Sequence, residues 1–432
     1  MTWSVSWKPS PPEGCATSSA HNRRDLDLAA QRVLVTDAGR GSALAIIRAL
    51  GRRGVYVVAA DSDRHSPGFY SRYTAERVRY PEPREQPRSV VSSLLVAARE
   101  HRVTLILPVT DDVILPLSSE RDRFSDVCRL ALPDPAALAA VTDKQATVDL
   151  ARRHGVPVPR TAVVKTVREA REQAPLLGWP VVVKPHTSRS YRDGDYIEAF
   201  SVSYAETVRE LEDQVRRLEG RAAVLLQEYY RGEAHGVGLL MDRGRPLAAF
   251  QHRRIREVPV TGGASSFRES VPLDPTLCDY AVRLLAALAW TGVAMVEFKL
   301  GDEGPRLMEI NGRVWGSLPL AVKSGIDFPG RMVDLYVNGS GDGEASLDST
   351  YRLGVRSRHL ELEVAWIGSV LRRNRGYSWV RLPRRRDAVA AAVLLLKPAD
   401  GYDILARDDI LPGLVEIVKI AAKLRTKLVE RA

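Results

Sequence analysis

Disulfide chemistry has little to work with in this sequence. Its three cysteines, Cys15, Cys128 and Cys278, are odd in number, far apart and free of CxxC pairs or neighbouring histidines. That pattern excludes a disulfide framework and a cysteine-based zinc site, and a reducing, cytoplasmic setting is expected. Long apolar runs are equally scarce. The longest, Ala388 to Leu396, falls well below the roughly 18 residues needed to span a bilayer. Met1 to Glu13 lacks a basic segment followed by an apolar stretch, so neither secretion nor membrane spanning is expected. No internal repeat is present, which excludes solenoids and propellers. Gly39-Arg40-Gly41 lacks the spaced third glycine of a dinucleotide fingerprint, so a turn and helix-packing role is expected there, and an NAD-dependent activity is disfavoured.

What is present describes a globular chain. Its 432 residues, 45% apolar and 27% charged, leave room for two or three domains with cores of their own. The formal charge of +10 is local: from Tyr351 onward there are 17 Lys+Arg against 9 Asp+Glu. The excess therefore belongs to a basic C-terminal extension, residues 341–432, read as a solvated face, and no nucleic-acid partner is expected. Within it, Leu414 to Leu428 has helical spacing with an apolar stripe of Leu414, Ile417, Leu424 and Leu428. That stripe is expected to pack on the protein core, with dimerisation or contact with an acidic carrier or membrane surface as the alternatives.

Residues 1–30, rich in Pro and Ser, read as a mobile leader. Residues 31–130 read as an α/β domain on a parallel sheet. A strand at Arg32 to Thr36, a glycine-punctuated turn, a helix and a strand at Val55 to Asp61 form a βαβ start, and the strand Val103 to Pro108 delivers Thr110-Asp111-Asp112 to its carboxyl end. Open α/β sheets collect ligands there. Residues 131–340 change to α+β texture with antiparallel strands, including a smaller lobe at about 160–230.

Chemistry concentrates in this second region. Lys184 ends the apolar run Val181-Val182-Val183, where an unpaired ammonium is costly and wants an anion, such as a nucleotide phosphate. Glu297 lies on one strand and Glu309 and Asn311 on the next. Alternation puts Glu309 and Asn311 on one face, and a turn at Gly301 to Gly304 brings Glu297 beside them. Any one alone reads as an exposed strand residue; two carboxylates and an amide in register read as hard ligands for Mg²⁺ or Mn²⁺ held jointly with phosphates. Arg313, two residues on, is placed to contact a transferred phosphoryl group.

The ordered segments Asp143-Lys144, Val183-Lys184-Pro185, Leu226 to Glu233, Val296-Glu297-Phe298 and Met308 to Arg313 resemble the ATP-grasp superfamily. The likeness is strongest to its carbamoyl-phosphate-synthase-like and amino-acid-ligase-like members, and covers roughly residues 31–340, including Ser71-Arg72-Tyr73 and Pro108 to Asp112. The resemblance implies an N-terminal pre-ATP-grasp domain followed by a two-lobed ATP-grasp fold. It implies that Lys144 and Lys184 hold ATP phosphates, that Glu228, Tyr229 and Tyr230 form the adenine hinge, and that Glu233 meets the ribose. Glu297, Glu309 and Asn311 match metal positions, and Arg313 matches the arginine that steadies the phosphoryl group. Two departures stand out: the loop His186 to Gly194 is poor in glycine, leaving Ser188, Arg189 or Ser190 to cover phosphates, and Gly312 replaces a common proline.

Arg253 and Arg254 lie where similar ligases face their carboxylate, and a guanidinium offers a bidentate fork for one. The expected activity is ATP- and Mg²⁺-dependent ligation of a small-molecule carboxylate to an amine through an acyl-phosphate, with a lid excluding water. A carboxylase or kinase-like relative and a non-catalytic nucleotide-binding protein are the alternatives. A homo-oligomer is compatible with the sequence.

Overall fold

The computed structural model describes residues 28–192, 195–339, 347–372, 379–380, 382–395 and 401–429. Most of the leader expectation lies outside these residues. Where it overlaps them it is corrected: Leu28–Ala30 form a short 3-10 turn and Leu28 is buried.

The first sheet is parallel, in the order β3-β2-β1-β4-β5, built from β1 (Arg32–Val35), β2 (Tyr56–Asp61), β3 (Glu76–Arg79), β4 (Leu105–Leu107) and β5 (Arg129–Leu130). Val33 to Val35, Val57 to Ala60 and Leu105 to Leu107 are all buried. Such uninterrupted apolar runs suit strands covered on both faces by helices. Because the connections leave β1 and β4 in opposite directions, a crevice opens beyond their carboxyl ends, at Thr36-Asp37 and Val109 to Asp112. The glycines before the helix Gly41–Gly51 serve packing, as expected: the Gly39 amide donates to Asp61 at 2.6 Å, and a Cβ on Gly41 would lie 2.9 Å from that of Asp403.

A small antiparallel sheet follows, in the order β10-β7-β11-β6, from β6 (Thr161–Val164), β7 (Val181–Pro185), β10 (Ser203–Ala205) and β11 (Val224–Glu228). The helices Val167–Leu177 and Val208–Leu218 cover it, and Val164, Ala170, Val181, Leu211 and Leu226 belong to a core of its own. The hairpin β8 (Arg189–Arg192) and β9 (Tyr196–Ala199) projects from this lobe.

The largest sheet runs β16-β15-β12-β13-β14-β17-β18. Its members are β12 (Glu233–Asp242), β13 (Arg245–Val258), β14 (Ala264–Ser270), β15 (Gly292–Gly301), β16 (Gly304–Asn311), β17 (Arg356–Arg358) and β18 (Gly401–Tyr402). The last two strands come from the C-terminal region and extend the sheet at its far edge. From there the chain returns to the N-terminal sheet. Asp409 accepts from Arg48 Nε at 2.8 Å, Ser71 Oγ at 2.7 Å and the Arg72 amide at 2.9 Å, while Asp408 receives Arg52 and the Tyr73 hydroxyl. Ser71-Arg72-Tyr73 is thus the socket for the C-terminal segment.

The helix Leu411–Val429 corrects the stripe expectation. Leu414, Ile417 and Leu424 are 49%, 44% and 42% exposed, whereas Glu416 and Ile420 face inward; the side chain of Leu428 falls outside the described residues. The physical reason is the surface it meets, a polar crevice at the sheet's carboxyl end rather than an apolar core. Among the described residues no helix is long and apolar enough to cross a membrane.

Candidate active site

Strand register builds the acidic centre. β15 and β16 are antiparallel neighbours that turn at Gly301 and Gly304, with Gly304 at a φ of +90°, a conformation that glycine adopts without strain. The register sets Glu297 opposite Glu309 and Met295 opposite Asn311. Asn311 Nδ2 donates to Glu297 Oε1 at 3.0 Å and to Glu309 Oε1 at 3.1 Å. Its side-chain carbonyl accepts from Arg313 Nη2 at 3.3 Å, and Arg313 Nε donates to Asp111 at 2.9 Å. Asp111 opens the helix Asp111–Ser119 at the end of β4, so the N-terminal sheet orients this arginine. Gly312 is explained by packing: a Cβ there would lie 2.6 Å from the Trp290 ring and 2.7 Å from Val141.

Two lysines face the carboxylates. Lys184 comes from β7. Lys144 is the first residue of a helix capped by Asp143, whose side chain accepts the Ala146 amide at 2.9 Å, and the Lys144 amide donates to the His186 carbonyl at 3.0 Å. Its Nζ donates to Ser188 Oγ at 2.8 Å. Both lysines, with Glu309, Asn311, Ser188 and Arg189, line one pocket. This continues into a cleft of about 550 Å³ between the small lobe, the large sheet and the end of the parallel sheet.

Burial drags the Lys184 ammonium down to about 8 against the pull of Glu309, with Lys144 and Lys299 adding repulsion. Burial pushes the Glu297 carboxyl up to about 7, opposed by Arg254 and aided by Glu309. For Glu309 burial works the same way, but Lys144 and Lys184 outweigh it and hold the group below the usual carboxylate range. Of this coupled pair Glu309 is the one held ionised. The result is a buried carboxylate pair set beside two ammonium groups, each shifting the other's titration.

Arg254 enters the cleft, pairing with Glu297 and, at 3.0 Å, with Glu257. Its Nε is buried without a partner. Arg253, on the other face of β13, stays outside the cleft, held by Glu269 at 2.7 Å and Glu233 at 3.2 Å. Glu233 is likewise outside, engaged with His235 and Arg253. Glu228, Tyr229 and Tyr230 border the cleft, but the Glu228 carboxylate accepts from the Arg160 amide and Nε at 2.8 and 2.5 Å.

Two lining residues, Lys299 and Glu257, and the pairing of a third, Asp111, are not expected from the sequence. Lys299 sits 4.9 Å from the centroid of the Tyr229 ring and donates to the Tyr230 carbonyl at 3.3 Å; its place two residues after Glu297 on one strand was the available signal. Glu257 was silent in sequence. Asp111 was noted only for its strand end, because its partner Arg313 lies 202 residues away. Among the described residues of the glycine-poor loop, Ser188 and Arg189 line the cleft, with Arg189 Nε donating to Asp112 at 2.6 Å.

Residues 221–360 match a family model described as ATP-grasp in the biosynthetic pathway with Ter operon. The chain is 27% identical over 195 residues to the carbamoyl phosphate synthase large chain of Thermus thermophilus, covering 44% of this chain and 19% of that protein. It is 28% identical over 210 residues to the ribosomal protein bS6–L-glutamate ligase of Shigella boydii, covering 47% of this chain and 65% of that protein. The chain thus spans less than two-thirds of the length of either relative. Among solved structures, N5-carboxyaminoimidazole synthetase from Staphylococcus aureus superposes with a TM-score of 0.60 at 11% identity, covering 82% of this chain and 91% of that one.

Proposed function

This chain belongs to the ATP-grasp superfamily, and from that premise we propose that it is an ATP-dependent ligase joining a small-molecule carboxylate to an amine through an acyl-phosphate. The observation that carries the reading is the meeting of Lys144 and Lys184 with Glu297, Glu309 and Asn311 across one cleft, with Arg254 and Arg313 in its lining.

In this reading Lys144 and Lys184 bind the ATP phosphates, and Ser188 and Arg189 cover them in place of a glycine nest. The Glu228 to Tyr230 segment meets the adenine mainly through its backbone, since the Glu228 side chain is taken by Arg160. The donor set of Glu297, Glu309 and Asn311 fits a hard divalent cation in kind: Asn311 Nδ2 bridges the two carboxylates and holds one oxygen of each side by side, in a site whose charge Arg254, Lys144 and Lys184 balance. When bound, Mg²⁺ would supply neutralisation of phosphate charge. Arg254, with an unpartnered buried Nε, receives the substrate carboxylate and aims one oxygen at the γ-phosphorus. Attack there forms the acyl–oxygen–phosphorus bond and expels ADP. Arg313, held by Asp111 and Asn311, steadies the new acyl-phosphate until the deprotonated amine displaces phosphate. The small lobe, having its own core, is the body that closes over the phosphates and excludes water.

The test is a screen of amino acids and other carboxylates, each with a panel of amines, for ATP-dependent phosphate release, followed by mass spectrometry of the products. An amide product supports the reading. Phosphate release that leaves a carbamate or a phosphorylated acceptor would instead assign a carboxylase or kinase-like activity, and nucleotide binding without turnover on any pair would assign a binding protein.

A further inference from the structure

A second cleft, of about 360 Å³, opens where β1 and β4 diverge. Asp37 lies in its wall at a φ of +54°, a conformation that a non-glycine residue keeps only where its surroundings over-determine it. They do so here. Asp37 accepts from the Thr110 amide at 3.2 Å, Thr110 Oγ1 at 3.0 Å and Thr36 Oγ1 at 2.7 Å, and its own amide donates to the Tyr80 hydroxyl at 3.0 Å. The opposite wall is the C-terminal helix, whose inner face brings Glu416, Lys419 and Lys423 into the cleft.

Charge is not balanced there. The lining holds seven carboxylates against four Lys and Arg, and three of those cations are already taken: Lys419 by Asp63, Lys423 by Glu361 and Arg84 by Asp112. Among the described residues Glu416 has no such partner. It is 6% exposed, and its Oε2 is buried without a hydrogen bond. A buried polar group left unsatisfied is destabilising, and the same helix leaves Leu414, Ile417 and Val418 in solvent. Burial of apolar surface would choose the opposite orientation, so the inward carboxylate is the feature that asks for a ligand.

We propose that this cleft binds a cationic, amine-bearing molecule whose ammonium group is received by Glu416. The cleft shares Arg40, Thr110, Asp112 and His359 with the nucleotide cleft, so a molecule held here opens directly onto it. Resting on the ligase reading, the bound molecule is the amine acceptor, held by one cationic end while another nitrogen extends toward the acyl-phosphate.

Burial pushes the Glu416 carboxyl up to about 8, with Asp403 and Glu361 adding repulsion and Arg48 opposing. Lys419, Lys423 and His359 on its own side, and Asp37, Arg40, Asp61, Asp63, Glu82, Arg84 and Asp112 across the cleft, are the other charged or titratable groups that line it, and burial holds His359 below the usual imidazole range. An arriving ammonium therefore displaces a proton at pH 7 and none at pH 9, where the acid is already ionised.

Titration calorimetry of the full chain tests this with 1,4-diaminobutane, spermidine and L-lysine amide, and with succinate as the anionic comparison, in buffers of different ionisation heat. The cationic probes are expected to bind and succinate not, with about one proton released at pH 7 and none at pH 9. Glu416→Gln is expected to lower probe affinity about tenfold or more and abolish the proton release, while ADP affinity stays unchanged. Glu361→Lys, at the half-exposed rim, is expected to weaken the probes about fivefold without disturbing the core. Binding of succinate in preference to the cations, absence of binding by every cationic probe, or full affinity in both variants overturns the proposal. The ligase reading fails separately: amine binding without ATP-dependent phosphate release removes that reading and leaves the cleft.

Discussion

Glu309 is placed between opposing demands, buried beside another carboxylate yet kept ionised by Lys144 and Lys184. Glu309→Gln keeps its shape and removes its charge, so ATP-dependent turnover at limiting Mg²⁺ is expected to fall about 100-fold or more. Thermal unfolding should shift little, and Glu303→Gln, in the exposed turn beside it, should match the parent in both assays. Lys184 yields a pH prediction. An anionic nucleotide favours its protonated form, and the free ammonium titrates near 8; ADP affinity is therefore expected to be flat below pH 8 and to fall above it by up to about tenfold per pH unit. Calorimetry from pH 6.5 to 9.5 checks this, and Lys184→Arg, which stays charged, should flatten the profile. At this scale the strand residues were legible because alternation assigns Glu309 and Asn311 to one face within a few positions. Asp111 with Arg313, and Glu257 with Arg254, were not, because no local pattern reports a pairing made by distant register or by the meeting of two sheets.

Strands and their order along the chain were readable from apolar runs bounded by glycine and proline, as at Val181 to Pro185 and Leu105 to Leu107. The C-terminal helix was readable as a helix and misleading in its orientation. An apolar stripe predicts the buried face only where the surface awaiting it is apolar, and here the helix lies across a charged crevice. Paired substitutions measure that orientation in chemical denaturation. Val418→Ser, at a position 67% exposed, is expected to change stability by less than about 0.5 kcal/mol. Ile420→Ala, on the buried face, is expected to cost about 2 to 4 kcal/mol. The reverse ranking would return the helix to the orientation that its hydrophobic stripe suggests.

Across the whole molecule, the C-terminal segment ties the two main sheets together, adding β17 and β18 to one and setting Asp409 into the other. Arg48 and Asp409 are 6% and 2% exposed. Asp409→Ala would leave the arginine buried without its partner, and a loss of about 3 to 5 kcal/mol is expected in denaturant unfolding. Proteolysis should then cut first around the C-terminal helix. Arg48 and Asp409 also lie 361 residues apart in the chain, and this separation has a consequence in time. At bacterial or eukaryotic synthesis rates, the ribosome takes about 20 to 70 s to travel from one to the other. Once β5 at Arg129–Leu130 has also emerged, the parallel sheet with its buried Arg48 socket waits out the rest of that interval with one wall of its acidic crevice missing. A nascent chain can therefore fold its first domain early, but the crevice between Asp37 and Glu416 exists only after the last helix has been made.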